Sequence, residues 1–425
     1  MLESLRKVWK IDDLRKKLIY TFLMLLLFRL VGVIPAPGID MAAFRESGAG
    51  DLPLLDLVNM MTGNNFSQMT IMAMGITPYI NASIIMQLLT IAIPALERMQ
   101  RDEEGGREKI QRISRYVTVA LAAIQAIGLV AASNAIKDNY WLNYILVGVT
   151  MAGGTALAMW IGERITDKGI GNGISLLIFA GIISNLFNGI ITLFKNAIVT
   201  PVVSNWVAAF SIIIVALVMT VLVTFVDLGE RRIPLQIAKQ VKGRRVYGGQ
   251  NTHMTLKVVS VGVMPMIFAY SFLAFPGTIL QLVAPNGGAT AWWNNNMNAG
   301  TVGYMIISAL LIIAFTYFYS SISFDPKKQA EQLIQQGAVI PGTRGKNIQK
   351  YLQNTTSRLN LFAALFLAVL AAVPTLLTRG LNAQVPFAAS SILIGVSVSL
   401  EFIRTIQGEM SVRGIDMDME NGGFM

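Results

Sequence analysis

Cysteine is absent from the 425 residues, and histidine occurs once, as His253. The first absence excludes disulfides, thiol chemistry and Cys-ligated metal. Charge is scarce as well: 14% of residues are Asp, Glu, Lys or Arg, against about 25% in a soluble domain. Carboxylates are nearly missing from the apolar runs, so no catalytic constellation or nucleotide site can be assembled there. No enzymatic activity, cofactor or metal is expected of this chain. Any energy for pumping has to come from a partner or from the membrane potential.

Apolar residues fill the space, at 54% of the chain. Runs long enough to cross a bilayer recur along its whole length, which predicts a polytopic membrane protein. Ten spans are expected, at about Leu18–Ile34, Met69–Pro94, Tyr116–Ala135, Tyr140–Ile161, Ile174–Phe194, Trp206–Val226, Val258–Leu282, Val302–Ile322, Leu359–Leu377 and Val385–Ile403. The N-terminal stretch MLESLRKVWKIDDLRKK is amphipathic, and the first apolar run ends without a small-x-small site, so no cleavable signal peptide is expected.

The net charge of +10 is unevenly placed. Bases crowd the N-terminus (Arg6 to Lys17) and the second, sixth and eighth connections, and the odd-numbered connections hold almost none. The positive-inside rule then puts both termini and the even connections in the cytoplasm. Arg29 is the one base inside a span. It is read as snorkelling to the outer interface near Pro35 rather than as a buried functional charge. Glu163, Asp167, Asp227 and Glu230 lie at cytoplasmic edges, where they are expected to pair with Arg164, Lys168, Arg231 or Arg232.

A short pattern occurs twice. Gly75-Ile-Thr-Pro-Tyr-Ile80 and Gly262-Val-Met-Pro-Met-Ile267 both read G-x-x-P-x-I, in spans two and seven. Paired Gly/Pro breaks in corresponding spans point to two repeats of five spans around a central pathway, the second inverted relative to the first. Residues 1–200 are then one half and 201–425 the other. The alternative is chance, because Gly and Pro are common in membrane helices. Ahead of the first copy, residues 59–70 are too polar to face lipid, which suits an outer loop or a segment folded back into the pathway, with Gly63 as hinge. Lys168–Ser175, KGIGNGIS, fits no phosphate-binding or dinucleotide fingerprint. It is read as a tight turn with Asn172 capping the next helix.

Longer strings carry a family resemblance. Met74–Leu89 (MGITPYINASIIMQLL) and Trp160–Ile183 (WIGERITDKGIGNGISLLIFAGII) resemble two signatures of the SecY/Sec61 alpha family of protein-translocase channel subunits. Glu230–Val258, Gly262–Ala269, Phe324–Gly345 and Ser357–Pro374 are similar to the same family, in family order. The departures are small: Ala388-Ala-Ser-Ser391 replaces Gly-Gly-Thr-Ser, Gln236-Ile-Ala238 lacks an aromatic, and the tail after Glu409 is short and acidic.

The resemblance implies an all-α membrane protein, ten helices in two inverted, pseudo-symmetric halves of five around a pore, in a bacterial plasma membrane. It implies a ring of apolar side chains closing that pore: Ile76, Ile80, Ile174, Ile178, Ile267 and Ile394. Stiff β-branched side chains exclude water and ions and offer a passing peptide no specific site. Taken singly, each is an ordinary lipid- or core-facing isoleucine. It also implies a plug at about 59–73, a short helix including Gly63, Asn64, Phe66, Ser67 and Met69, whose small polar groups suit easy release. Spans two and seven become a lateral gate, with Asn81, Ser83, Gln87 and Ser271 as polar contacts; plain helix packing accounts for these residues too.

Two cytoplasmic loops, about 229–257 and 323–358, are implied as docking sites, through Arg244, Arg245, Arg344 and Lys346. Implied partners are the small SecE and SecG subunits, the SecA ATPase, ribosomal RNA at the ribosome exit, signal sequences and nascent polypeptides, and anionic lipid. Two other readings compete. A secondary transporter needs a titratable group at midplane, and a membrane enzyme needs a catalytic cluster within the spans. The sequence offers neither.

Overall fold

Backbone groups in an apolar stretch must bond to one another, and the helix lets them do so within one segment. The computed structural model describes residues 9, 11–46, 59, 62–101, 105–133, 136, 140–199, 203–237, 240–242, 245–247, 251–284, 287–297, 301–342, 346–381 and 389–411. The chain forms two compact units. One holds Met1–Asn205, Ala274–Asn298 and Val398–Met425, the other Trp206–Leu273 and Ala299–Ser397.

The first unit is built on helices α1 (Asp12–Val31), the short α2 (Met41–Glu46), α3 (Thr77–Ala92), α4 (Pro94–Arg101), α5 (Gly106–Ser133), α6 (Trp141–Lys168) and α7 (Gly173–Val199). Helices α5 and α6 are its most extensive pair, and α3 lies against α5. Small residues allow the close approach: a Cβ on Gly148 of α6 would stand 2.5 Å from Ile127 of α5. Arg115 of α5 donates to Glu163 of α6 at 2.7 Å. Asp167 takes Arg164 as expected, but Glu163 is reserved for this interhelical partner. Helix α1 is pinned where Thr21 Oγ1 accepts the Ile170 N–H at 3.1 Å, and Asn172 Oδ1 caps α7 by accepting from Ile174 and Ser175.

The chain continues through α8 (Val203–Leu228), β1 (Glu230–Ile237), β2 (Gln240–Lys242), β3 (Arg245–Tyr247), β4 (Asn251–Lys257), α9 (Met264–Val283) and α10 (Gly288–Asn296). Then come α11 (Val302–Ser323), α12 (Pro326–Gln335), β5 (Ala338–Val339), α13 (Lys346–Leu381) and α14 (Ala389–Ser411). In the second unit α11 packs along α13, with a buried bond of 2.5 Å from Asn360 Nδ2 to Ser320 Oγ. Asp227 accepts from Ser397 Oγ at 3.3 Å. Helix α8 exposes Phe210, Leu217, Val221 and Phe225, a face suited to lipid.

Three outcomes differ from expectation. Among the described residues six helices are long and apolar enough to span a membrane, where ten spans were expected. Helix α1 falls short because Arg15, Lys16, Lys17 and Arg29 lie within its 20 residues, and α9 contributes a short apolar stretch, Met264–Leu273. Part of the tenth expected span, 385–388, lies outside the described residues. Span two ends at Pro94 as expected, and there α4 bends away from α3 by 106°. Pro94 explains the break, since it holds Ile93 extended at φ −109°, ψ 110° and supplies no N–H to continue the ladder. The expected helix over 69–76 is a series of turns instead.

The third difference is β-structure. The loops at 229–257 and 323–358 form one small subdomain. Strands run β4-β1-β5, all antiparallel, with β2 and β3 as a separate hairpin. Gln236 pairs with Val339 and Ile237 with Ala338, tying one loop to the other. Ile233, Leu235, Leu333, Ile340, Ile348 and Leu352 share its core.

Candidate functional site

The two G-x-x-P-x-I copies fold alike. Gly75 has φ +51° and Gly262 φ +59°, a left-handed backbone that glycine tolerates freely. Each precedes its helix by two residues, and each helix carries proline at its second position, Pro78 in α3 and Pro265 in α9. The hydrogen bonds also correspond. Gly75 N–H donates to Met72 (2.9 Å) as Gly262 N–H does to Val259 (3.3 Å). Ile80 N–H donates to Ile76 (3.1 Å) as Ile267 N–H does to Val263 (3.3 Å). Proline is pre-set for a first helical turn, where its missing N–H has no partner to lose. Sequence repeat and backbone repeat therefore coincide.

The candidate ring residues lie near helix heads, save one. Ile76 and Ile80 sit a turn apart at the start of α3, and both are buried. Ile174 and Ile178 do the same at the start of α7. Ile174 is half-buried, its Cγ1 3.0 Å from where a Cβ on Gly162 would lie, and Ile178 is buried. Ile267 at the head of α9 and Ile394 within α14 are buried in the second unit.

The polar segment before α3 is a knot of turns. Asn59 and Thr62 are helical, and 63–69 are turns and a bend, so the short helix expected there does not extend past Thr62. Gly63, Asn64 and Met69 all have positive φ. The Asn59 carbonyl accepts from Asn64 N (3.0 Å), Thr62 Oγ1 (3.2 Å) and Asn185 Nδ2 of α7 (2.8 Å). Asn64 Oδ1 accepts from Asn59 Nδ2 (3.1 Å) and Ser67 Oγ (2.8 Å). The other side of the segment is apolar. Phe66 and Met69 are wholly buried with Val130 of α5 and Val147 and Met151 of α6. Past it the chain pairs with 34–36: Ala36 N–H donates to Met69 (3.0 Å) and Ile71 N–H to Ile34 (2.9 Å). The segment is thus seated by an apolar plug-in as well as by small polar groups.

Arg29 corrects its expected role. Rather than reaching out past Pro35, its Nη1 donates to the Gly63 carbonyl at 3.4 Å and its Nη2 to the Ala180 carbonyl of α7. No residue pattern signals this contact, because the acceptors are main-chain carbonyls.

Of the gate candidates, Asn81, Ser83 and Gln87 lie on α3 and Ser271 on α9, all half-buried. Gln87 Oε1 is buried without a hydrogen-bond partner among the described residues. Of the docking candidates, Arg244 and Arg344 lie outside the described residues. Arg245 is in β3, paired with Lys242, and Lys346 opens α13. The strands themselves were missed. Their signal was present as alternation of Ile233, Leu235 and Ile237 with Pro234 and Gln236, and of Met254 and Leu256 with Thr255 and Lys257.

The family model described as SecY matches residues 70–403. A protein translocase subunit SecY of Streptomyces scabiei is 38% identical, over 98% of this chain and 99% of its own. A solved protein-conducting channel has the same fold, with a TM-score of 0.69, 21% identity and 95% of each chain covered. Sec61 from a canine ribosome–channel complex of the endoplasmic reticulum is similar at a TM-score of 0.66, 19% identity and 95% of each chain.

Proposed function

The chain belongs to the SecY family, and from that premise we propose that it is the pore subunit of a protein translocase. It passes unfolded polypeptides across the membrane and releases apolar segments sideways into lipid. It does so passively, without an enzymatic step of its own. The observation that carries the reading is the shared start of α3 and α9, a left-handed glycine followed by proline in the first turn. Broken helices in corresponding places mark the pathway in repeat-built membrane proteins.

In this reading ten helices form two inverted halves, 1–200 and 201–425, with both termini in the cytoplasm of a bacterium. Ile76, Ile80, Ile174, Ile178, Ile267 and Ile394 close the pore, and residues 59–73 plug it. Asn81, Ser83 and Gln87 of α3 and Ser271 of α9 tune the lateral gate by bonds worth about 0.6–2 kcal/mol each. The orphan acceptor on Gln87 supports this, since its Oε1 can accept a bond from another helix or from a signal sequence. The strand-built subdomain, with Arg244, Arg245, Arg344 and Lys346, docks SecA or the ribosome, SecE and SecG complete the membrane complex, and basic loops meet anionic lipid.

The test is crosslinking. Because the chain has no cysteine, a single Ile80→Cys reports alone against a Cys-tagged secretory substrate stalled in reconstituted vesicles. An adduct that depends on SecA or a ribosome is expected. An engaged substrate with no adduct, while a small solute accumulates, would replace this reading with a transporter.

A further inference from the structure

Arg29 lies within the apolar run of α1 and is only half-buried. Its hydrogen bonds go to two main-chain carbonyls, Gly63 and Ala180, and among the described residues it has no carboxylate partner. A cation so placed is retained only where its donors are met. A planar guanidinium with five N–H groups can serve carbonyls from two different segments at once; an ammonium is a point charge without that fork. Gly63 is shaped to receive it. Its φ of +73° favours glycine, and a Cβ there would run into Arg29 Nη1. From the other side, Asn185 of α7 donates to Asn59 at 2.8 Å. The turn segment is therefore held at its head by α1 and α7, independently of its apolar seat.

We propose that Arg29 is a latch: its charge-assisted bond to the Gly63 carbonyl, braced by Ala180, holds the turn segment closed at rest. The proposal rests on reading that segment as the plug. Opening breaks the bond to Gly63 and leaves the one to Ala180. At 3.4 Å the bond to Gly63 is long for a charged donor, and losing it shifts the closed–open equilibrium by roughly several-fold to tenfold.

Resting ion conductance of the reconstituted channel in planar bilayers tests this. Arg29→Met removes the donors and keeps an unbranched apolar stem. Gly63→Ala displaces the guanidinium and leaves Arg29 intact. Arg29→Met is expected to raise resting conductance about tenfold, Arg29→Lys less so, Gly63→Ala at least as much as Arg29→Met because it also strains the backbone at φ +73°, and the double variant no further than Gly63→Ala alone. Unfolding midpoints check folding, and if Arg29→Met is poorly folded, Gly63→Ala and Arg29→Lys decide. Single variants as tight as the parent, or additive in the double, would overturn the latch. Ile80→Asn separates the two claims. If it leaks while the latch variants stay tight, the latch is wrong and the pore stands; if it stays tight with them, both fall.

Discussion

Gly75 and Gly262 occupy the same left-handed conformation two residues ahead of α3 and α9, but their surroundings differ. A Cβ on Gly75 would stand 2.6 Å from Thr62 Cγ2, whereas one on Gly262 meets nothing within 4 Å. Gly262→Ala thus bears the backbone term alone, about 1–2 kcal/mol. Gly75→Ala adds crowding of about 1 kcal/mol or more. Thermal unfolding in detergent should rank Gly75→Ala below Gly262→Ala. The reverse order would mean that the two breaks are not conformational equivalents.

Neighbouring glycines in α6 make a second contrast. A Cβ on Gly154 would run into the main-chain oxygen of Ile71, and one on Gly153 meets open space. Ile71 cannot simply retreat, because its N–H is bonded to Ile34 at 2.9 Å. Gly154→Ala should destabilise by about 1–3 kcal/mol. Gly153→Ala should be neutral or stabilise by up to about 1 kcal/mol, as alanine is the better helix former. Equal midpoints for the two variants would show that α6 and the turn at Ile71 are not in contact in solution.

The sequence's own legibility follows from what each signal depends on. Spans, turns and the repeat rest on local chemistry: apolar length, the capping Asn172, the Gly/Pro pairs. The cap, the Gly/Pro pairs and six of the ten expected spans recur among the described residues, because no distant residue is needed to produce them. Arg29 was misread since its partners are backbone carbonyls on Gly63 and Ala180, and carbonyls carry no residue signature. Phe66 and Met69 sat in a stretch judged by its polar members, so its apolar seat went unseen. The strand β5 is two residues long, too short for any periodicity; pairing with Gln236 and Ile237 makes it a strand.

That pairing leads to the third prediction. Leu352, in α13, and Ile233, in β1, are both 0% exposed in one core. Leu352→Ala should cost about 2–5 kcal/mol and loosen both loops together. Limited proteolysis should then cut near 238–250 and near 340–346 at matched, faster rates. Acceleration confined to the second stretch would show that the strands hold without the shared core.

Helix α13 runs unbroken for 36 residues, about 54 Å at 1.5 Å per residue. A bilayer's hydrocarbon accounts for about 30 Å of that. Its first turns, at Ile348 and Leu352, are embedded in the strand subdomain, and its later turns pack along α11. No proline or glycine interrupts it before Pro374. The subdomain therefore rides on a stiff lever with its fulcrum in the membrane. A partner docked on the strands as proposed would tilt a rod, so a push applied outside the bilayer would be delivered within it as rotation.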